Sequence, residues 1–346
     1  MTATGADTIW AYVYEDDDAY NQAPGDATDS TFKTFGANVT ADAIDRSNNS
    51  ERIFQPFSRT SETVLEGAFD GSLGAGWTLA NTWWLQFIFG QPTVSGNEDP
   101  FTHTYEINNG NPPRTAQVVE ETHYKDGTVE QTVYSGVFAE SADMDVSVED
   151  TVSVSLSGSY ATEQFFSDAS NSPLGEIGTQ PVREYRPVHF GNSLLKMDVT
   201  GSGSVDADAL VQDASVSFAA NAQGERELGT RILATPSFLQ FEPDLSYTKL
   251  SDATNTSNEQ QVAAYGSTSA TTVPDTLSDG NDLEGELLFD AQADLTNKVT
   301  VEMDGAFPDS YSRNNVGDPS TTIEQNIDRI VNDVSIVVES NEQTPP

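Results

Sequence analysis

The sequence predicts a mainly β protein built as two tandem sandwich or barrel modules, each with at most one short helix. Three observations carry this. Apolar residues alternate with polar ones at a period of two through most of the chain. Runs of turn formers punctuate that alternation, and helical spacing is scarce.

Leu79 to Gly90 is the most apolar stretch, with Trp83, Trp84, Leu85, Phe87, Ile88 and Phe89. It is too short to cross a membrane and reads as a buried helix, the other reading being a partner-binding patch. Phe101, His103, Tyr105 and Ile107 then alternate as a strand, which the run Asn108 to Pro113 breaks. Gln117–Tyr124 and Thr128–Phe138 flank Asp126-Gly127, a pair that accepts the positive φ angles of a tight hairpin. Met144, Val146 and Val148, followed by Val152, Val154 and Leu156, extend these runs into an antiparallel meander.

In the second half Leu195/Met197/Val199, Val216/Phe218, Leu287–Phe289 and Val299–Met303 read as strands. Ile323, Ile327, Ile330, Val331 and Val334 fit a helix face and equally bracket a strand. Between the halves, Ser167 to Gly175 consists of turn formers at mid-chain. The expected division is a first module over 1–166, a linker over 167–185 and a second module over 186–346 with an extended loop at 251–281. A shift of 174 residues superposes Glu51-Arg52 on Glu225-Arg226, Leu65 on Leu239 and Asp70 on Asp244, so a duplication is expected from the order of features.

Composition bounds the chemistry. The 346 residues carry 55 Asp and Glu, 15 Lys and Arg, a formal charge of −40 and no cysteine. Thiolate metal sites, disulfides and cysteine nucleophiles are excluded. So is a basic groove for nucleic acid. High acidity with low hydrophobicity can signal disorder, but 4 Trp, 11 Tyr and 17 Phe argue for a packed core. Near 1 M salt the Debye length falls to roughly 3 Å, so the excess charge is screened. The composition, poor in lysine, resembles soluble proteins of extreme halophiles, and dilution into low salt is expected to unfold or dissociate the chain.

No P-loop, His-Glu-x-x-His or Gly-x-Ser-x-Gly motif is present, and His103, His123 and His189 lie far apart. The acidic runs at Glu15–Asp18 and Asp279–Glu286 lack the spacing of an EF-hand loop and read as solvated surface. The expectation is a non-enzyme with no catalytic, cofactor-binding or metal-binding residues. The N-terminus lacks the basic region and apolar core of a signal peptide, which predicts synthesis and retention in the cytoplasm.

The order of these elements resembles the major tail tube proteins of long-tailed, siphovirus-like viruses. The residues that carry the likeness are Gly36–Thr40 through Asn49–Arg52, Thr63–Phe69, the Leu79–Gly90 segment, Phe101–Tyr105 and the hairpin around Asp126-Gly127. They continue through Tyr134–Val137 and strands ending near Gly158, then from Phe190-Gly191 through Val216 and Tyr247 to Ser335–Val338. Long polar loops at 91–100 and 251–281 depart from the family pattern.

The resemblance implies a structural virion protein, here of a virus of a halophilic archaeon, assembled in the host cytoplasm into the virion tail. Its chains would form stacked rings around a lumen closed by strands of successive subunits. A duplicated chain would need three copies per ring, an unduplicated one six. The implied partners are the chain itself, the tape measure, tail terminator and baseplate proteins, and double-stranded DNA that passes through without specific binding. No membrane is involved. The strands around 36–76 and 210–247 would face the lumen, and their scarcity of Lys and Arg would keep DNA from sticking. The alternative is a halophile surface or adhesin-like protein, compatible with the sequons at Asn38, Asn48 and Asn255. A secreted carbohydrate-active enzyme is disfavoured by the missing signal and site.

Overall fold

The computed structural model describes residues 7–16, 19–25, 31–57, 59–96, 98–107, 110–181, 186–197, 206–207, 210–251, 272–273, 284–290, 298–318 and 320–341. The protein is mainly β. In chain order the strands are β1 (Thr8–Tyr14), β2 (Ala37–Ser47), β3 (Glu51–Phe54), β4 (Ser61–Leu65), β5 (Asp70–Thr78), β6 (Thr93–Ser95), β7 (Phe101–Glu106), β8 (Ala116–His123), β9 (Val129–Ser147), β10 (Ser153–Tyr160) and β11 (Thr162–Phe166). The second half supplies β12 (Ser193–Met197), β13 (Asp206–Ala207), β14 (Val211–Ala219), β15 (Gln223–Glu225), β16 (Thr235–Ser237), β17 (Glu242–Leu250), β18 (Gly285–Asp290), β19 (Lys298–Asn314) and β20 (Glu324–Ser340).

One 16-stranded antiparallel sheet contains most of them, with the short hairpins β3·β4 and β15·β16 apart. The hairpin at Asp126-Gly127 forms as its turn chemistry dictates: Gly127 has φ 89°, and the Asp126 carboxylate accepts from the Thr128 N–H at 3.0 Å. The runs at 128–138 and 144–148 belong to one 19-residue strand, β9. Glu149, at φ 73°, turns it into β10.

The apolar stretch from Leu79 to Phe89 is fully buried. Its helix is shorter than a twelve-residue run implies, a 3-10 turn over Trp83–Leu85 and one α turn, α1 (Gln86–Phe89). Gly90, at φ 76°, ends it. The Asn81 carbonyl accepts from the Trp84 indole at 2.9 Å, and the Asn81 amide donates to the Thr34 carbonyl at 2.6 Å, so the segment's entry is fixed by side chains. Within the loop expected at 91–100, β6 pairs with β7.

From Glu324 onward the 321–334 region is strand, and its helix-like spacing has a structural cause. Ile327, Arg329 and Val331 are buried, then Val334, Ile336 and Val338. The core-facing side switches where β20 bends opposite Gly305, so apolar residues fall at 327, 331 and 334, a helical interval produced by a bent strand.

The mid-chain segment docks on the first half. Leu174 and Ile177 are buried with Ile9, Val13, Val119 and Val133. The buried Glu121 carboxylate accepts from the N–H groups of Ile177 at 2.8 Å and Gly178 at 3.0 Å. One core spans both halves, from Trp77, Trp84 and Phe89 to Phe218, Leu245 and Ile336. The 251–281 loop lies outside the described residues apart from Ser251, Thr272 and Val273.

Candidate assembly surface

The register of the strands reveals a repeated path. Along the sheet the order β9-β10-β5-β2 from the first half matches β19-β20-β17-β14 from the second. Each path begins with a long strand bent at a left-handed glycine, Gly136 at φ 66° in β9 and Gly305 at φ 64° in β19. A few residues on, each carries an acidic bulge, Glu140 opposite Ser157/Gly158 and Asp309 opposite Asp328/Arg329.

The correspondence extends to side chains. Asn49 and Asn221 lie 172 positions apart and share left-handed φ angles of 43° and 44°. The Asn49 amide donates to the Ala68 carbonyl and the Asp70 carboxylate. The Asn221 amide donates to the Gln240 carbonyl and the Glu242 carboxylate, again 172 positions on. The short hairpins keep the same shift, Glu51 opposite Leu65 and Gln223 opposite Ser237. The repeat interval across β2–β5 is therefore 172. The 174-residue shift preserves which face each residue occupies, because strands repeat every two residues, but misplaces every partner by one pair.

Inside the chain the two repeats join edge to edge. β14 pairs with the second half of β9, Ser215 opposite Asp145, Ser217 opposite Asp143 and Ala219 opposite Ser141. The Ala220 N–H donates to the Glu140 carbonyl at 2.9 Å, so the bulge residue belongs to the joint. On the other layer β7 adds to the end of β20. A third tie is ionic: Arg226 bridges to Asp70, and Arg231 bonds the Gly67 carbonyl at 2.7 Å and the Asn48 side chain at 2.9 Å.

The two outer ends of this path are open. Among the described residues β2 pairs only with β5. β18 covers β19 as far as Met303, so the edge from Asp304 to Asn314 opposite β20 has no partner strand among the described residues. These edges correspond to β14 and to the joined part of β9. Unpaired edge groups are a template for a further strand.

The face of this sheet turned away from the core is mostly polar, with the paired Phe307 and Ile330 as apolar exceptions next to the bend. Asp143, Asp145, Asp213, Glu242, Asp244 and Asp328 lie on it among serines and glycines, as their alternation with the buried Met144, Ala214, Leu245 and Ile327 requires. From the bend glycines onward no Lys or Arg side chain among the described residues of these strands alternates onto that face; Lys298, which alternates with the buried Val299, lies before the bend at Gly305. Hydroxyls restrain the acids: Ser310 donates to Asp328 at 2.5 Å and Ser155 to Asp143 at 3.3 Å. Burial, with Asp145 nearby, pushes the Asp143 carboxyl above its usual range. Asp244 is raised by burial and then by Glu242, Asp309 and Asp328.

Glu15 is buried and holds the first bend. Its carboxylate accepts from the Gly136 N–H at 2.9 Å, the Asn21 N–H at 2.9 Å and the Thr115 hydroxyl at 2.7 Å. Burial raises its carboxyl while those donors lower it. The acidic run at its start is thus part packing element; Asp17 and Asp18 lie outside the described residues, as do Asp279–Leu283 of the second run. The histidines are dispersed: His103 is buried, His123 sits 2.9 Å from Glu121, and His189 caps a 3-10 turn. Among the described residues no acidic or histidine group has a metal-binding arrangement. Among the described residues no helix is long and apolar enough to cross a membrane.

No protein-family model and no curated protein matches this sequence.

Proposed function

We propose that the protein is a self-assembling tube subunit whose copies join head to tail, β2 of one against β19 of the next, to enclose a lumen through which double-stranded DNA passes. The observation that carries this reading is the internal joint. The chain already makes one β14·β9 contact between its repeats, and the equivalent edges at its two ends lie open. Transferring the register predicts Ala43 opposite Asn314, Asp45 opposite Ser312 and Ser47 opposite Ser310 between copies.

Size argues against a single chain closing on itself. A barrel of eight strands has an interior filled by side chains, so one chain closing on itself leaves no channel. Three chains supply six repeats. At a strand spacing of about 4.8 Å their sheet has a circumference near 115 Å and a bore of about 35 Å between backbones before any tilt. The polar face then lines the lumen.

Its acids act over a short range in molar salt, where the Debye length is about 3 Å. What matters for passage is the missing cations. Without Lys or Arg no phosphate is neutralised and no counterions are released, so DNA gains nothing by stopping. This is the work of a viral tail tube, with the tape measure, tail terminator and baseplate proteins as the partners the resemblance implies.

Electron microscopy of the protein purified in molar KCl tests the proposal. Rings or stacked tubes are expected; persistent monomers at high concentration would contradict it.

A further inference from the structure

We propose that Arg59 clasps the neighbouring copy as Arg231 clasps the first repeat of its own chain; this rests on the head-to-tail reading above. Arg59 and Arg231 are 172 positions apart, at the same place in hairpins of identical register. Within the chain the Phe69 N–H donates to the Arg231 carbonyl at 2.8 Å, and the Arg231 guanidinium donates to the Gly67 carbonyl at 2.7 Å. It also reaches Asn48 at 2.9 Å and Glu66 at 3.3 Å.

The positions 172 further on are Phe241, Leu239, Ala220 and Phe238. The two main-chain contacts survive this exchange, because they need only an N–H and a carbonyl. The Phe241 N–H and Leu239 carbonyl lie outside the strands and have no main-chain partner among the described residues. Arg59 is exposed and likewise has no hydrogen-bond or ion-pair partner among the described residues. The side-chain acceptors Asn48 and Glu66 are replaced by Ala220 and Phe238, so this contact loses charge and gains apolar surface.

Exposed apolar groups stand where that exchange needs them. Phe54 occupies the position of Arg226 and is 55% exposed, and Leu239 is 66% exposed on the receiving side. Such side chains mark an interaction surface when they cluster. The occupant is a second copy of this chain, because the receiving carbonyl and N–H are the counterparts, 172 positions on, of those that Arg231 already engages.

The test compares wild type with Arg59→Ala in molar KCl, by sedimentation and electron microscopy, alongside hydrogen exchange of the peptide containing Phe241. Circular dichroism verifies that the variant is folded. The expected result is about a tenfold higher protein concentration for half-assembly, equivalent to about 1.4 kcal/mol. The Phe241 amide should be protected in wild-type rings and unprotected in monomers. Assembly of the variant at the wild-type concentration with no protection of that amide would overturn the clasp while leaving the tube intact. Intact rings that fail to stack would overturn it too, placing Arg59 between rings. Wild-type protein that forms no rings would overturn the tube reading and the clasp together.

Discussion

The two repeats share a backbone path and differ in what fills and braces it. In the first, the segment between β5 and β8 delivers Trp83, Trp84, Phe87 and Phe89 to the core and adds β7 to the edge of β20. Glu15 pins its bend, and the mid-chain segment docks on its outer layer. In the second, the bend at Gly305 faces Asn332 instead, and the core beside it holds Arg329, bonded to the Ala306 carbonyl at 3.2 Å and the Tyr247 hydroxyl at 3.3 Å. Bend glycine, bulge and left-handed asparagine recur in both, while the packing residues recur only in part: Leu73 matches Leu245, but Ala75 and Trp77 stand where the second repeat has Tyr247 and Lys249. The joint is thus specified by backbone conformation, and the core sequence is free to diverge around it.

The bends separate the repeats most strongly. At Gly136 an added Cβ lies 2.9–3.0 Å from the Tyr20 ring and 3.0 Å from Ala161, and the left-handed φ disfavours any L side chain. Gly136→Ala should destabilise by about 2–4 kcal/mol. At Gly305 the obstacle is the Asn332 side chain, whose amide end can turn away while its Cβ, 3.0 Å off, cannot, so Gly305→Ala should cost about 1–3 kcal/mol. Urea denaturation in molar KCl measures both. Equal losses would show that the braces around Gly136 contribute nothing.

The asparagines should behave alike. Asn49→Ala and Asn221→Ala each remove an amide that ties a carbonyl and a carboxylate at the hairpin base, at about 1 kcal/mol apiece. A difference above about 1 kcal/mol between them, on a scale where a single hydrogen bond contributes about that much, would break their equivalence.

Smaller still is the effect of the acidic face. The Asp143 and Asp244 carboxyls are raised in the folded state, so that state binds protons more readily than the unfolded chain. Their ionisation therefore opposes folding at neutral pH, and this opposition fades as pH falls through their raised range. Asp143→Asn with Asp244→Asn should be more stable than wild type at pH 7, and the gap should narrow below the carboxylate range. A gap independent of pH would mean the two acids do not titrate as described.

Much of this was legible in residues. Alternation and Asp126-Gly127 located β8, β9 and β10, and turn formers located the mid-chain segment. The helix-or-strand ambiguity near 327–334 arose because a bend switches the buried side within one strand, which no local period encodes. The repeat was visible in outline but shifted by two residues, since Glu-Arg pairs were matched where the shared features are conformational. Asn49/Asn221, Arg59/Arg231, Phe69/Phe241 and Leu73/Leu245 are identical at a shift of 172 and were the available signal. The open edges had no sequence signal, because an unpaired edge is defined by which strand is missing.

The central claim is that β2 of one copy meets β19 of the next. The chain has no cysteine, so a Ser47→Cys, Ser310→Cys double variant reports on that joint alone. The two sites sit at opposite ends of an eight-strand path, about 30 Å apart along the sheet, whereas a disulfide requires Cα atoms within about 7 Å. Oxidation in molar KCl should give a ladder on a denaturing gel that ends at a covalent trimer. Chains that assemble yet stay monomeric on that gel would contradict it, whereas a ladder that runs past three would keep the joint and contradict the three-copy ring.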